Sequence, residues 1–318
     1  MTEPRKHQKY EELIYGCHAL APLRTAVAHP CDEGALTAVI EATAAKIIKP
    51  ILVGPEARIR ALAASLHLDL GGLELVDQPH SHAAAERAVQ LVRAGEANAL
   101  MKGSLHTDEL MAEVVRKDVG LRTERRISHV FIMDVPTYAK PLFITDAAIN
   151  IFPTLEDKVD IVQNAIGLAH ALRIATPKVA ILSALETISS KIPSTIDAAA
   201  LCKMAERGQI TGGVLDGPFA LDNAISLDAA AIKHIKSPVA GDADILLVPD
   251  LEAGNMLAKE LTFLAGADAA GIVLGARVPI ILTSRADSVR TRMASCAVAA
   301  LYAAFLRRGA ADIGKLVQ

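Results

Sequence analysis

Short apolar runs alternate along this chain with longer stretches whose apolar positions recur every three or four residues. The short runs lie at 25–28, 49–53, 73–76, 99–101, 130–134, 142–145, 178–182, 214–216, 245–248, 271–274 and 278–282. Runs of this length, bounded by polar and glycine residues, predict strands, and their continuous hydrophobicity fits a sheet covered on both faces. Between them, 36–45, 81–93 and an alanine-rich stretch ending near Arg308 predict helices. The clearest helical pattern is 155–172, where Leu155, Val159, Val162, Ile166, Ala169 and Leu172 form one apolar stripe. Pro153-Thr154 supplies its start, with Glu156 and Asp157 in the first turn. The alternation predicts an α/β fold around a mostly parallel sheet.

With 318 residues the chain is long enough for two domains. No low-complexity linker separates them. The chain is expected to cross between lobes near Asn150 and to return near Gly271. This gives a first αβα domain at 1–147, completed by 271–318, and a second at 148–270, with a cleft suited to a small ligand.

The run 278–282 stops at Thr283-Ser284-Arg285, just before a helical pattern. Open α/β sheets bind ligands beyond strand carboxyl ends, and a hydroxyl and a guanidinium beside a helix amino terminus suit a phosphorylated small molecule. Ser284-x-x-Asp287 fits a helix cap as well. Lys102, Gly103, Ser104, His106 and Thr107 follow the run 99–101. They read either as a ligand loop or as a glycine turn capped by Thr107. Arg122, Arg125, Arg126 and His129 precede 130–134 and suit a polyanion, or make a solvated loop beside a strand-edge histidine. Asp146 and Asn150, Asp216 to Asn223, and Asp250 to Asn255 also follow strand ends, each with the chemistry of an ordinary turn.

Composition removes several function classes. A net charge of −3 argues against a general nucleic-acid binder, and 3% aromatic residues without tryptophan argue against base-stacking platforms. The four cysteines, Cys17, Cys31, Cys202 and Cys296, are scattered, which fits reduced thiols of a cytoplasmic protein. The amino terminus has no apolar signal region and no apolar span is expected to reach membrane length, so no membrane association is expected. The ten histidines show no ligand spacing, and no metal is required. Gly-x-Gly-x-x-Gly after the early strands and Gly-x-Ser-x-Gly are both absent.

In chain order, Met101-Lys-Gly-Ser-Leu-His-Thr107, Gly120-Leu-Arg-Thr123, Ser128-His129, Ile144-Thr-Asp-Ala-Ala-Ile-Asn150, Asp216-Gly-Pro218, Leu221-Asp-Asn-Ala-Ile-Ser226, Pro249-Asp-Leu-Glu-Ala-Gly-Asn255 and Leu282-Thr-Ser-Arg-Ala-Asp-Ser288 resemble the phosphate acetyltransferase/butyryltransferase family. Within it, the likeness is greatest to the acyltransferase part of proteins that also carry an enoyl-CoA hydratase domain. No residues are left here for that domain, and hydratase activity is not expected.

The resemblance implies two αβα domains of the isocitrate/isopropylmalate dehydrogenase type, and a homodimer. It also implies reversible acyl transfer between coenzyme A and inorganic phosphate, with acetyl-CoA and acetyl phosphate as the other partners and no metal. It places Ser284 beside the reacting thiol and carbonyl, and Arg285 on the phosphoryl group. Lys102, Ser104, His106, Thr107, Arg126, His129, Asp222, Asn223 and Asn255 are carried over as substrate-binding positions. The acetyl branch has an aspartate seven residues beyond the serine, considered the base. Thr291 stands there instead, which leaves Asp287 as the nearest carboxylate. Ala112 replaces an arginine usual in the butyryl branch, which implies either lost phosphate affinity or compensation by Arg116 or Arg126. The alternatives are a butyryltransferase, a binding protein that has lost catalysis, and a metal- and NAD-dependent decarboxylating dehydrogenase.

Overall fold

The computed structural model describes residues 8–284 and 286–316. Contacts divide the chain into two compact units, Gln8–Arg125 with Ala270–Gln318, and Arg126–Ala269. The first unit opens with α1 (Gln8–Cys17), β1 (Leu23–Ala28), α2 (Glu33–Ala44), β2 (Ile48–Gly54) and α3 (Glu56–Ser65). It continues through β3 (Glu74–Asp77), α4 (Ser81–Arg93), β4 (Ala99–Lys102) and α5 (Thr107–Val114). The second unit contains β5 (Ser128–Asp134), β6 (Leu142–Thr145), α6 (Leu155–Ala171), β7 (Lys178–Leu182) and α7 (Pro193–Glu206). After these come β8 (Val214–Phe219), α8 (Leu221–Ile225), α9 (Leu227–Ile232), β9 (Ile245–Leu247) and α10 (Leu251–Phe263). The chain returns through β10 (Asp268–Leu274) and ends with β11 (Ile280–Ile281) and α11 (Val289–Leu316).

In the first unit the strand order is β3-β2-β1-β4-β11-β10, parallel except for the β10–β11 pair. In the second it is β5-β6-β9-β7-β8, with β5 and β6 antiparallel and the other pairs parallel. The first crossing falls between Arg125 and Arg126, earlier than the 147/148 read from sequence. The reason is pairing: β5 bonds β6, and β6 bonds β9, so β5 and β6 both belong with the second unit.

Local chemistry explains most boundaries. Helix α6 begins where Thr154 and Asp157 cap each other reciprocally, at 3.2 and 3.0 Å. Its buried face is shifted from the expected stripe: Ile161, Ala165 and Leu168 join Val162, Ile166 and Ala169, while Leu155, Val159 and Leu172 are only half-buried. Lys158 is buried against Asp197 at 2.6 Å. The run 278–282 shrinks to Ile280–Ile281 as a strand, because Pro279 has no N–H to give a ladder.

One expectation about apolar length is corrected. Val289–Gly309 of α11 has the length and composition of a membrane span, with mean hydropathy 1.2. In the fold this segment is mostly buried and packs on α2 and α1, and its alanines allow that close approach.

Candidate functional site

In the first unit β1, β4 and β11 are adjacent and parallel, with Ala28 opposite Lys102 and Met101 opposite Ile281. Their carboxyl ends therefore lie side by side, about 5 Å apart per strand step. Gly103 makes the first junction. A Cβ there would sit 2.5 Å from the carbonyl oxygens of both Ala28 and His29, so no side chain fits. That closeness lets Gly103 N–H bond Ala28 and Ser104 N–H bond His29, both at 2.9 Å.

Ser104 and His29 then interlock. The Ser104 hydroxyl donates to the His29 carbonyl at 2.8 Å and accepts the Cys31 N–H at 3.1 Å. The His29 Nδ1 lies 3.1 Å from the same oxygen. With the hydroxyl proton already placed on the carbonyl, Nδ1 is the donor, which leaves Nε2 as the acceptor of a neutral ring. His29 is buried and left-handed, with φ 53°. Such a backbone costs a non-glycine residue about 1 kcal/mol. Burial, followed by the Arg58 charge, lowers its pKa from the ordinary histidine value, against opposing pulls from Glu109 and Asp32. Burial also pushes the Cys31 thiol up to about 11.

At the end of β11, Ser284 is exposed. Its N–H donates to Asp287 Oδ2 at 2.6 Å, and its carbonyl accepts Arg292 Nη2 at 3.0 Å. Arg292 Nη1 also bonds Thr283 Oγ1 at 3.1 Å, and the residue is only 1% exposed. An added Cβ on Gly34 would lie 3.8 Å from Arg292 Nε and 3.7 Å from Asp32 Oδ1, so the guanidinium reaches over the start of α2. Asp32 caps that helix, accepting Ala35 N–H at 2.7 Å.

Two capping expectations change. Helix α11 starts at Val289 and Ser288 caps it, accepting Thr291 N–H at 3.1 Å. Ser284 and Asp287 precede the helix, so Ser284 has no capping duty and Asp287 is not in a first turn. In α5 the cap position is His106, with Thr107 as first helical residue. Lys102 is buried and its ammonium donates to the Leu105 carbonyl at 3.1 Å, closing its own loop. Arg285 lies outside the described residues. Arg116 pairs with Glu113 at 2.8 Å and Glu86 at 3.4 Å on the protein surface.

The second unit has its own polar cluster, at the ends of the parallel neighbours β6 and β9. Asp146 accepts the N–H groups of Ala148, Ile149 and Asn150, at 2.9, 3.0 and 3.2 Å, together with the Asn150 amide. Asn150 in turn accepts Arg126 Nε at 2.7 Å, and Arg126 reaches Asp157 at 3.3 Å. Asn255 Nδ2 donates to the Ala147 carbonyl at 3.2 Å, tying α10 to this loop. Asp222 is exposed and 3.6 Å from Lys233. The side chain of Asn223 is fully enclosed, and neither amide atom has a hydrogen-bond partner among the described residues. His129 is fully buried on β5, edge-on to Phe131 at 4.4 Å, so it lies inside the fold and not on a binding surface.

The sequence reading brought Lys102, Ser104, Ser284 and Asp287 to adjacent strand ends but missed His29, Asp32 and Arg292. His29-Pro-Cys-Asp32 follows the first predicted strand, which was the same signal that marked the later loops.

A family described as "Phosphate acetyl/butaryl transferase" matches residues 80–300. A phosphate acetyltransferase of Rhizobium meliloti is 68% identical over 310 residues, covering 98% of each chain. A phosphate butyryltransferase of Clostridium beijerinckii is 44% identical, covering 93% of this chain and 98% of its own. The crystal structure of a branched-chain phosphotransacylase from Enterococcus faecalis V583 superposes with a TM-score of 0.76 at 31% identity, covering 88% of this chain and 99% of that one. The chain belongs to the phosphate acetyl/butyryl transferase family.

Proposed function

We infer that this protein catalyses reversible transfer of an acetyl group between coenzyme A and inorganic phosphate. The observation that carries the reading is the turn after β11. Ser284 stands exposed, released from helix capping, with its backbone held by Asp287 and Arg292. In the acyl-transfer direction the coenzyme A thiol loses its proton and attacks the carbonyl of acetyl phosphate. The oxyanion that develops needs fixed donors, and the Ser284 hydroxyl is assigned to it. Arg285 is assigned to the phosphoryl group, as the family resemblance implies. Asp287, its Oδ2 already accepting the Ser284 N–H, is assigned to shaping the turn.

Acetyl is preferred over butyryl on the nearer relative, 68% against 44% identical. A pocket separates chains differing by a methylene or two only weakly, so activity with both is expected. Work in the cytoplasm as a homodimer belongs to the same reading, supported by the free cysteines and the family resemblance. The test is thioester absorbance with purified protein, coenzyme A and acetyl phosphate, with and without a chelator, repeated with butyryl phosphate. Chelator-resistant thioester formation supports the reading. Coenzyme A binding without turnover, or turnover demanding NAD and a divalent ion, removes it.

A further inference from the structure

The reaction needs a proton acceptor for the thiol, and the positions first considered do not offer one. Thr291 has no carboxylate and sits in the first turn of α11, its Oγ1 3.2 Å from Ser288 Oγ. Asp287 holds the Ser284 N–H. His29 stands two strands from β11, on the same sheet edge, about 10 Å away by strand spacing. The Ser104 contact fixes its tautomer with the proton on Nδ1. Among the described residues Nε2 has no hydrogen-bond partner, and the residue keeps 9% of its surface exposed.

We propose that His29 Nε2 is the proton acceptor for the coenzyme A thiol. The role rests on the acetyl-transfer reading. Nε2 takes the S–H proton as the sulfur lone pair forms the C–S bond to the carbonyl carbon of acetyl phosphate. The C–O bond to phosphate then breaks, its electron pair leaves with the phosphate, and the imidazolium returns the proton to that phosphate. Thiol and acetyl phosphate become thioester and hydrogen phosphate, with the ring neutral at both ends.

The groups facing the ring are Arg58 of α3, Glu109 of α5, Asp32 at the cap of α2, and Ser104 after β4, with Gly54 of β2 against Cδ2 at 3.7 Å from an added Cβ. The test is kcat across pH for wild type, His29→Gln and His29→Gly, alongside circular dichroism and melting. Wild-type rate should fall on the acid side as the ring is protonated. Both variants should fold, turn over about 100-fold or more slowly, and lack that limb, and added imidazole should restore part of the rate in His29→Gly. A folded His29→Gln variant within about threefold of wild type, or one that keeps the acid limb, overturns the assignment. A wild-type protein making no thioester removes the reaction itself and the role with it.

Discussion

Replacing Arg292 by lysine tests whether the turn carrying Ser284 is held from beneath. The guanidinium spans two acceptors, Thr283 Oγ1 at 3.1 Å and the Ser284 carbonyl at 3.0 Å, while 1% exposed. A lysine ammonium is a single point and cannot reproduce the fork. One charge-assisted bond is lost, worth about 1.5–3 kcal/mol when its acceptor stays buried. For a unit of this size each kcal/mol moves the midpoint by about 2–4 °C, so a fall of about 3–12 °C is expected. The Ser284 carbonyl then keeps only its bond from the Asp287 N–H at 3.2 Å among those described and loses its hold from beneath, and a displacement near 1 Å at a reacting group costs up to about 100-fold. Arg292→Lys should therefore lower kcat by about 10–100-fold on that scale, with Michaelis constants changing less. Thermal and urea unfolding give the first quantity, and thioester formation gives the second. Wild-type stability would refute the hydrogen-bond accounting. Reduced stability with wild-type kcat would refute the link from Arg292 to the chemistry.

Ser284→Ala should lower kcat at least about tenfold, equivalent to about 1.4 kcal/mol of barrier, with an unchanged melting curve; unchanged turnover removes Ser284 from the site. Gly103→Ala should cost about 1–3 kcal/mol, because the new methyl meets two carbonyl oxygens at 2.5 Å and must part β1 from β4. A melting temperature equal to wild type would contradict that close approach. Burial raises Cys17 and Cys31 to about 11, and Cys202 and Cys296 to about 12. Unfolded thiols ionise near pH 8.5, so this stabilisation is complete below about pH 8.5 and is lost as pH rises through about 11–12. The urea midpoint should fall across that window and the native thiols should resist a thiol reagent at pH 8 until unfolding. Rapid native-state labelling would contradict the burial.

Much of the layer order was legible because strands such as β6 and β7 are short apolar runs with polar ends, matched residue for residue at 142–145 and 178–182. Helix α6 was legible because its capping residues are three apart and local. Local signals also misled. Ser284-x-x-Asp287 and Ser288-x-x-Thr291 follow one another as rival cap patterns, and the choice between them depends on where α11 can dock. His29 and Ser104 are 75 positions apart, and only the β1–β4 pairing brings them together. Arg292 follows Arg290 and Thr291 and carries no local sign of burial, whereas its partners come from the turn eight and nine residues earlier. A strand-edge reading allowed His129 a ligand role, but residues packed on β5 enclose it.

A base with a lowered pKa looks ill-suited to a thiol, and the surroundings of His29 bear on that objection. With ordinary values of about 6.5 and 8.5, moving the proton from sulfur to imidazole is uphill by about 2.7 kcal/mol. Burial is the larger cause of the lowered His29 pKa and the Arg58 charge the next, and both disfavour the imidazolium. The same charge favours a thiolate placed at similar distance, so the cost of making the pair is nearly unchanged by it. Desolvation raises that cost, but the two new charges are opposite and adjacent, and their attraction offsets part of it. A turnover near 10 per second corresponds to a barrier of about 16 kcal/mol, which easily contains a proton transfer uphill by a few kcal/mol. The lowered pKa has a compensating use: it favours the unprotonated ring, the form that can accept. A carboxylate at position 291 would be ready too, but as a weaker base. An enzyme with Thr291 in that place should accordingly lose activity only at a pH below the ordinary histidine range, and the His29→Gln profile should be flat there.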